Sequence, residues 1–378
     1  MSLRERLGIA TVSDAKLRKI YEKYGVLDNP FPPASQPMGH PHLSTEVEHE
    51  IDDKLRLFLQ SKTTEALVVE GTQGLGKTNL LEYYKNELRE LFGEESGYYI
   101  VRYTPDPEPD FGAVVRTIIQ EFGVDHVEVV ARKLNALSVP EREKVLSGAR
   151  GHDARHVFTS LSEVGGHPEI LRVTAELAFD FLLGLRIYKR HTEALGVRFR
   201  LDTTESKIQA LHDLVSISQD LGCLNAIFLF LDELEKQGNL PLQVTNRYLQ
   251  SIRALIDALP KGLFLVLAMT PDARRRYSSM LPALAGRLRV YVTLTPLTDN
   301  TEAIGLYEFY LEHARKQAHQ NPIAAKWPRG HNSFVTLDEV RNEFDKALLD
   351  SEKEGRKGVT PRLFLNQLHA LTASVLDI

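Results

Sequence analysis

An eight-residue loop pattern constrains the fold of this chain more than any other feature of its sequence. Residues 71–78, Gly-Thr-Gln-Gly-Leu-Gly-Lys-Thr, match the phosphate-binding pattern G-x-x-x-x-G-K-[ST]. The pattern follows an apolar run at 66–70 that predicts a strand, and it precedes a predicted helix. This strand–loop–helix context is what the motif requires. The apolar side of the helix is expected to comprise Leu80, Leu81, Tyr84, Leu88 and Leu91.

The chemistry of such a loop predicts which residues hold a nucleotide. Glycines adopt backbone angles closed to other residues, so successive N–H groups can point at phosphate oxygens. The amino terminus of the following helix adds its positive dipole end. Lys77 is expected to reach the β- and γ-phosphates, and the Thr78 hydroxyl to ligate Mg²⁺. The alternative is a glycine turn with a solvated lysine. The predicted nucleotide-binding residues are Gly71, Thr72, Gln73, Gly74, Leu75, Gly76, Lys77, Thr78 and Asn79.

A second motif places two acids after an apolar strand. Asp232 and Glu233 follow the run 226–231, so their carboxylates are expected at the carboxyl edge of a sheet, where ligands of open α/β sheets bind. Asp232 can hold Mg²⁺ through water, and Glu233 can orient or deprotonate an attacking water. The alternative is a pair of acids at a helix start, as we interpret Glu235. An adjacent Asp-Glu pair favours hydrolysis over phosphate transfer to a small molecule.

The distribution of apolar runs predicts the fold class. Five runs are expected to form strands, at 66–70, 98–103, 226–231, 263–269 and 290–294. Most are continuous rather than alternating, which is typical of strands buried on both faces of a parallel sheet. Helical stretches separate them, so we predict an α/β fold with a five-stranded parallel sheet flanked by helices.

Three regions are predicted along the chain. Residues 1–45 are rich in loop signals, with prolines clustered at 30–33 and 37–41. Residues 46–298 form the phosphate-loop core, with Ser44 as the expected cap of its first helix and a helical insertion at about 105–222. Residues 299–378 form a helical lid. Helices are predicted at 111–122, 169–185, 206–221, 303–317, 337–349 and 361–375.

Composition excludes several classes of protein. The 378 residues include 46 Lys+Arg and 51 Asp+Glu, a net charge of −5, which lacks the bulk basic charge of small DNA-binding domains. A single cysteine, Cys223, excludes a disulfide framework and a multi-cysteine metal site. The apolar runs fall short of the ~20 residues that span a bilayer, and residues 1–6 lack the apolar core of a signal peptide. We therefore expect a cytoplasmic protein with no membrane partner.

The motifs resemble those of a known superfamily. The phosphate loop and the acidic pair are similar to the nucleotide-binding motifs of AAA+ ATPases, and in particular to the branch of origin-recognition, transposition-regulator and secretion ATPases. The segment Asn29-Pro30-Phe31 is similar to the entry segment of that branch, and so is the run from Leu284 to Leu297. The resemblance covers nearly all of the chain from about Tyr24. The insertion separates Lys77 from Asp232 by more chain than a compact AAA+ core usually has.

Within that branch the chain looks especially like ATP-binding proteins of BREX-type phage-defence loci. The similar segments are residues 262–272, which end in Thr270-Pro271-Asp272, the spaced pattern Leu211, Leu214 and 220–222, and Thr360-Pro361-Arg362.

The resemblance implies roles for three further residues. Thr270 would sense the γ-phosphate, Arg287 would be an arginine finger reaching the nucleotide of a neighbouring subunit, and Arg362 would contact the γ-phosphate in cis from the lid. Alternatives remain open for each. Thr270 can cap the helix that Pro271 begins, Arg362 can be a surface arginine, and other arginines compete with Arg287. These competitors are Arg274, Arg275, Arg276 and Arg289.

The resemblance also implies the function and the partners. We expect an ATPase, with ATP and Mg²⁺ as cofactors, that forms a homo-oligomer acting on DNA or on a DNA-acting partner protein in phage defence or mobile-element control. A nucleotide-gated scaffold with slow hydrolysis is the alternative, and a small-metabolite kinase is a third hypothesis. One other pair suggests a metal site: His152 and His156 lie one helical turn apart, although a surface helix explains the same spacing.

Overall fold

The computed structural model describes residues 14–33, 41–93, 97–105, 110–164, 166–186, 188–198, 200–328 and 330–376. The sequence interpretations at residues 1–6 and 37–40 lie outside these residues. The chain divides into two compact units. The loop-and-lid unit comprises Met1–Thr45, Thr72–Asn79 and Leu294–Ile378, and the sheet unit comprises Glu46–Gly71 and Leu80–Thr293.

The sheet unit is built on five parallel strands. They are β1 (Glu65–Glu70), β2 (Tyr98–Tyr103), β3 (Ala226–Leu231), β4 (Leu263–Met269) and β5 (Val290–Thr293), in the order β2-β3-β4-β1-β5. The predicted bounds are confirmed for β2, β3 and β4, while β1 begins one residue earlier and β5 ends one residue earlier. Every residue of β3 and β4 is buried, which explains their uninterrupted apolar sequences. The predicted α/β fold is confirmed.

Two helices pack on one face of the sheet through aromatic contacts. The first helix of the chain is α1 (Asp14–Tyr24), and the two that pack on the sheet are α2 (Val47–Ser61) and α3 (Lys77–Phe92). Phe58 of α2 and Phe92 of α3 each place their ring centroid 5.7 Å from that of Phe228 in β3.

Two details of these helices differ from the sequence analysis. Ser44 does not cap α2, because Glu46 takes the cap position. On α3 the residues Leu80, Leu81, Tyr84 and Leu88 are buried as predicted. Leu91 is 68% exposed, because in the last turn it is Phe92 that packs, with its ring 3.9 Å from that of Tyr98.

A helical insertion follows β2 and packs on the other face of the sheet. It comprises α4 (Phe111–Ala136), α5 (Val139–Ser147), α6 (His152–Val164), α7 (Pro168–Leu182), α8 (Lys189–Leu195) and α9 (Thr204–Asp220). Helix α4 is kinked at Gly123, whose φ of 71° is open to glycine. Val115 and Ile118 of α4 belong to the same buried cluster as Leu229 of β3 and Leu265 of β4. The insertion therefore shares its core with the sheet.

The remaining elements of the sheet unit connect its last three strands. A 3₁₀ helix (Leu234–Asn239) and α10 (Leu242–Ala258) lie between β3 and β4. Helices α11 (Pro271–Met280) and α12 (Pro282–Ala285) lie between β4 and β5.

The loop-and-lid unit has a separate core of helices. It contains α1, α13 (Asn300–Gln320), a 3₁₀ turn (Ala324–Lys326), α14 (Leu337–Lys353) and α15 (Pro361–Leu376). Helix α1 lies in the region that the sequence analysis described as loop-rich. Phe31 is 1% exposed and stacks on Tyr307 of α13, with ring centroids 5.4 Å apart. Among the residues described, no helix is both long and apolar enough to cross a membrane.

The Asn29-Pro30-Phe31 segment is anchored by hydrogen bonds of Asn29. Its Oδ1 accepts from the Phe31 N–H (3.1 Å) and from the Thr372 hydroxyl (2.8 Å), and its Nδ2 donates to the His369 carbonyl (2.9 Å). His369 and Thr372 belong to α15, so this segment is tied to the last helix of the same unit.

Candidate functional site

The phosphate loop begins where β1 ends and has the backbone that its glycines permit. The Gly71 N–H donates to the Met269 carbonyl (3.2 Å), which continues the ladder between β1 and β4. Gly74 and Gly76 have φ of 87° and 96°, in the left-handed region that favours glycine. A Cβ added at Gly74 would lie 3.2 Å from the Thr360 hydroxyl. The loop therefore requires glycine at Gly74 for two reasons, conformation and space.

The first turn of α3 carries the residues predicted to contact phosphate and metal. Lys77 is the first residue of α3, is 7% exposed, and donates from Nζ to the Thr72 carbonyl (3.3 Å). Thr78 and Asn79 are half-buried, and Asn79 Nδ2 donates to the Pro41 carbonyl (3.3 Å). This turn contains no acidic residue, so nothing of its own sequence opposes an anion at the positive end of the helix.

Arg362 lies next to the phosphate loop within the loop-and-lid unit. It is the second residue of α15, and its backbone N–H donates to the Gly74 carbonyl (3.3 Å). A Cβ added at Gly74 would lie 3.4 Å from the Arg362 Cβ. The Arg362 side chain is exposed, and the first turn of α15 has no acidic residue. The structure thus brings together two positions that the sequence analysis selected separately.

The acidic pair lies at the carboxyl end of β3 in an unusual turn. Asp232 is 1% exposed, and its Oδ1 accepts from the Glu233 N–H (2.9 Å). Glu233 has φ 52° and ψ 40°, a left-handed conformation that is uncommon outside glycine. Its side chain is 41% exposed, and its carboxylate pairs with Lys236. Glu235 lies in the first turn of the 3₁₀ helix that follows, as predicted.

Arg102 is a partner of Asp232 that the sequence analysis missed. It lies in β2, and its Nη2 donates to Asp232 Oδ2 (2.7 Å) while its Nη1 donates to Glu82 Oε2 of α3 (2.8 Å). Burial opposes the charge of Arg102, but the hydrogen bonds to Asp232 and Glu82 outweigh it and raise its pKa. Burial likewise opposes the charge of Glu82, yet hydrogen bonds from Lys85 and Arg102 lower its pKa. The available signal was a single arginine within an otherwise uncharged strand.

Glu70 forms a second ion pair at the edge of the sheet. This last residue of β1 is 8% exposed, and its Oε2 accepts from Arg274 Nε (2.5 Å) while its Oε1 accepts from the Thr293 hydroxyl (3.0 Å). The Arg274 guanidinium lies 5.0 Å from the ring centroid of Tyr291. The pair joins β1, β5 and α11 directly before Gly71, and the sequence analysis did not select Glu70.

Thr270 caps α11, which was one of its two predicted uses. Its hydroxyl accepts from the Ala273 N–H (3.3 Å), and Pro271 is the first helical residue. The same hydroxyl follows the last residue of β4, so the cap also fixes a polar group at that edge of the sheet.

The candidate arginines have different surroundings. Arg287 donates from Nε to Asp257 Oδ1 of α10 (2.9 Å), with 43% of its side chain exposed. Arg274 is held by Glu70, Arg275 pairs with Asp272, and Arg276 donates to the Gly238 carbonyl (2.7 Å). Arg289 donates to the carbonyl of nearby Gly286 (3.0 Å). Because Arg274 neutralises a buried carboxylate, it is the competitor least able to leave its place.

His152 and His156 lie close together on α6. Their Nε2 atoms are 3.2 Å apart, and both residues are exposed. Across the described part of the chain, no group of three or more His, Cys, Asp or Glu side chains is placed to hold a metal ion.

Comparisons with known proteins give similarity in structure alone. No protein-family profile and no curated protein matches this chain. Similar solved structures include the ORC2 protein of Aeropyrum pernix in ADPNP-ADP complexes, at 12% identity and TM-score 0.43 over 93% of this chain and 72% of that one. The ADP form of the same protein is 13% identical, with a TM-score of 0.42 over 90% of this chain and 73% of that one. Cdc6p of Pyrobaculum aerophilum is 13% identical, with a TM-score of 0.37 over 88% of this chain and 68% of that one. These values are too low to carry an argument about function.

Proposed function

We propose that this chain is an AAA+ ATPase that hydrolyses ATP to switch a homo-oligomer acting on DNA or on a DNA-acting partner protein. The observation that carries the proposal is the phosphate loop: Gly74 and Gly76 are left-handed, and the loop leads into a helix whose first residue is the buried Lys77. Backbone N–H groups, a helix amino terminus and one lysine form the combination that phosphates require. In this proposal residues 71–79 bind the ATP phosphates, with Lys77 neutralising the β- and γ-phosphates.

The residues proposed for Mg²⁺ have suitable chemistry. The Thr78 hydroxyl and the Asp232 carboxylate are hard oxygen donors, and Mg²⁺ is commonly held by one or two protein oxygens together with substrate phosphates. Asp232 Oδ1 and Oδ2 each accept one hydrogen bond, which leaves acceptor capacity on both atoms. When bound, the ion would neutralise charge on the phosphates.

Glu233 is the proposed general base for hydrolysis. Its carboxylate is partly exposed, whereas the Asp232 carboxylate is buried and engaged by Arg102. An accessible ionised carboxylate can accept the proton of a water that attacks the γ-phosphate. Glu233 and Asp232 are therefore given different roles, base and metal holder.

Three further residues are proposed to respond to the γ-phosphate. Arg362, beside the loop, would contact it in cis, and the Thr270 hydroxyl would sense it while capping α11. Arg287 would act in trans on a neighbouring subunit, where an arginine neutralises charge that develops on the transferred phosphoryl group. Its exposure and its pairing with the surface residue Asp257 support this role, because a surface ion pair is weak and easily exchanged.

The proposed setting is phage defence or mobile-element control in the cytoplasm. It rests on the resemblance of residues 262–272 and of Thr360-Pro361-Arg362 to ATP-binding proteins of BREX-type loci.

The decisive experiment compares Glu233→Gln with Glu235→Gln, a matched change two residues away in the same turn. We expect Glu233→Gln to bind ATP normally and to lose at least about 100-fold in hydrolysis, the usual contribution of a general base. Glu235→Gln should stay within a few-fold of the natural protein. Phosphate release and binding of a fluorescent ATP analogue measure the two properties. Normal turnover by Glu233→Gln would contradict the assignment.

One observation favours a second candidate function, an ATP-gated scaffold with slow hydrolysis. Asp232 is already bound by Arg102, an arrangement that disfavours a second cation. The ATPase rate measured against protein concentration, with and without duplex DNA, separates the two. A rate per subunit that rises with concentration and falls in Arg287→Ala supports hydrolysis in an oligomer, and a slow rate independent of concentration supports the scaffold.

A further inference from the structure

The ion pair of Arg102 with Asp232 brings a positive charge into direct contact with the carboxylate proposed to hold a metal. The Arg102 side chain is 14% exposed and the Asp232 side chain 1% exposed, and their hydrogen bond is 2.7 Å long. Residues 102 and 103 are the last two of β2, and Tyr103 is in register with Leu231, the residue before Asp232. The Asp232 N–H donates to the Tyr103 carbonyl (2.9 Å), so the backbone fixes the two side chains in contact.

A chain of alternating charges surrounds this pair. Lys85 Nζ lies 2.7 Å from Glu82 Oε1, Glu82 Oε2 lies 2.8 Å from Arg102, and Arg102 contacts Asp232. Glu82 contacts both cations and Asp232 contacts Arg102, and the two cations and two carboxylates together are neutral. A buried carboxylate without such a partner is strongly unfavourable, so the guanidinium of Arg102 compensates for the burial of Asp232.

We propose that Arg102 is a positioning residue that acts as the resident cation of Asp232, balancing the carboxylate before the metal arrives and weakening its affinity for a divalent ion. The inference rests on the proposed metal role of Asp232. A guanidinium in contact with a carboxylate leaves no net negative charge to attract a second cation. The divalent ion would then bind well only together with phosphates, which bring negative charge of their own. Arg102 thus couples metal binding to nucleotide binding.

The first test titrates Mn²⁺ alone into nucleotide-free protein and follows free Mn²⁺ by electron paramagnetic resonance. Arg102→Met removes the charge and keeps much of the apolar stem. We expect it to bind Mn²⁺ about tenfold more tightly than the natural protein, since one unit charge next to a divalent ion is removed. Arg102→Lys keeps the charge and should stay within threefold.

Arg89→Met is the matched control for loss of a charge nearby. Arg89 belongs to α3 and pairs with Glu121 (3.2 Å), away from Asp232, so its removal should leave the Mn²⁺ affinity unchanged. The tighter binding of Arg102→Met should disappear in the double variant Arg102→Met/Asp232→Asn. Unchanged or weaker Mn²⁺ binding by folded Arg102→Met would overturn the inference.

A second measurement needs neither metal nor activity. Thermal unfolding of the nucleotide-free protein is compared for Arg102→Met, Asp232→Asn and the double variant. If Arg102 balances Asp232, each single variant melts at lower temperature, and the double variant loses less than the sum of the two shifts. Additive shifts would overturn the inference by themselves. If the shifts are coupled but Asp232→Asn binds Mn²⁺ with nucleotide as tightly as the natural protein, the proposed metal role of Asp232 is wrong while Arg102 still balances its charge.

Discussion

The phosphate loop and the acidic turn follow strands of the same sheet, yet their conformations have different origins. In the loop, Gly74 and Gly76 take left-handed angles at no steric cost, so the sequence of the loop itself specifies the shape. In the acidic turn, Glu233 takes a left-handed angle without being glycine. Partners distant in sequence, Arg102 and Tyr103, hold the neighbouring Asp232 there. A loop whose shape depends on its own residues can be recognised from its sequence. The partners of a turn that is held by long-range contacts cannot be read from the sequence of the turn.

Replacing Glu233 by glycine should separate stability from function in the acidic turn. Glycine relieves the left-handed strain, so we expect Glu233→Gly to raise the free energy of unfolding by about 1 kcal/mol. It should also lower ATP hydrolysis at least about 100-fold, because the proposed base is lost. Urea unfolding and phosphate release measure the two effects.

Lys62→Gly is the matched control for this prediction. Lys62 and Glu233 are the non-glycine residues with positive φ in the described chain, and Lys62 ends α2 with φ 56°. Lys62→Gly also loses the hydrogen bond from Lys62 Nζ to the Tyr98 hydroxyl (3.1 Å), so its gain in stability should be smaller, and it should keep its ATPase rate. A destabilised Glu233→Gly would show that the turn is not strained.

Alanine at Gly74 should have the opposite effect on stability. Gly74→Ala introduces strain at φ 87° and crowds the Thr360 hydroxyl, so we expect about 1–2 kcal/mol of destabilisation. We also expect ATP binding to weaken about tenfold, a loss of 1.4 kcal/mol. Gly93→Ala is the control, because Gly93 has φ 62° and open space around it. That variant should lose similar stability while binding ATP normally, and equal binding by both variants would refute the role of the loop.

The attachment of β2 to the insertion should make stability depend on pH. Nδ1 of His126 in α4 is hydrogen-bonded to the Tyr99 hydroxyl (2.8 Å), and Nε2 of the same ring is hydrogen-bonded to the Ser218 hydroxyl (2.8 Å). Burial lowers its pKa to about 4 from the usual 6.5. Between these values the unfolded chain binds the extra proton and the folded chain does not, so stability is full above pH 6.5 and falls as the pH is lowered.

We expect a loss of about 2 kcal/mol between pH 7 and pH 5 from His126. Urea unfolding at the two values measures it. His126→Gln does not titrate and should reduce the pH dependence by that amount; an unchanged dependence would mean that folding does not lower the pKa of His126. Since β2 carries Arg102 and Tyr103, this attachment also supports the acidic turn.

Most of the fold could be predicted because strands that are buried on both faces of a parallel sheet have continuous apolar sequences. The bounds of β2, β3 and β4 followed from this pattern, and periodicity located α4, α7 and α9 of the insertion and the helices α13, α14 and α15. Helix α4 runs on to Ala136, and the short helices α5 and α8 were not predicted. The cap of α2 at Glu46 and the exposure of Leu91 were missed, because both depend on how a helix end meets its neighbours.

For the candidate site, motif residues could be selected from the sequence and their partners could not. Gly74, Lys77, Asp232 and Glu233 belong to short motifs whose chemistry is known in advance. The pairing of Glu70 with Arg274 joins residues about two hundred positions apart, and nothing in the local sequence of either indicates the other. Such contacts follow from strand order, which apolar runs alone do not specify.

The anchor of Asn29 on α15 has a practical consequence for handling the protein. Asn29 bonds to His369 and Thr372, and the helix that contains them carries Arg362 in its first turn, so the segment around residue 30 is tied directly to that helix. A fluorophore or cross-linker attached near residue 28 would therefore report on the helix that presents Arg362. Asn29→Ala should, for the same reason, loosen that helix although the substitution lies more than three hundred residues away in the sequence.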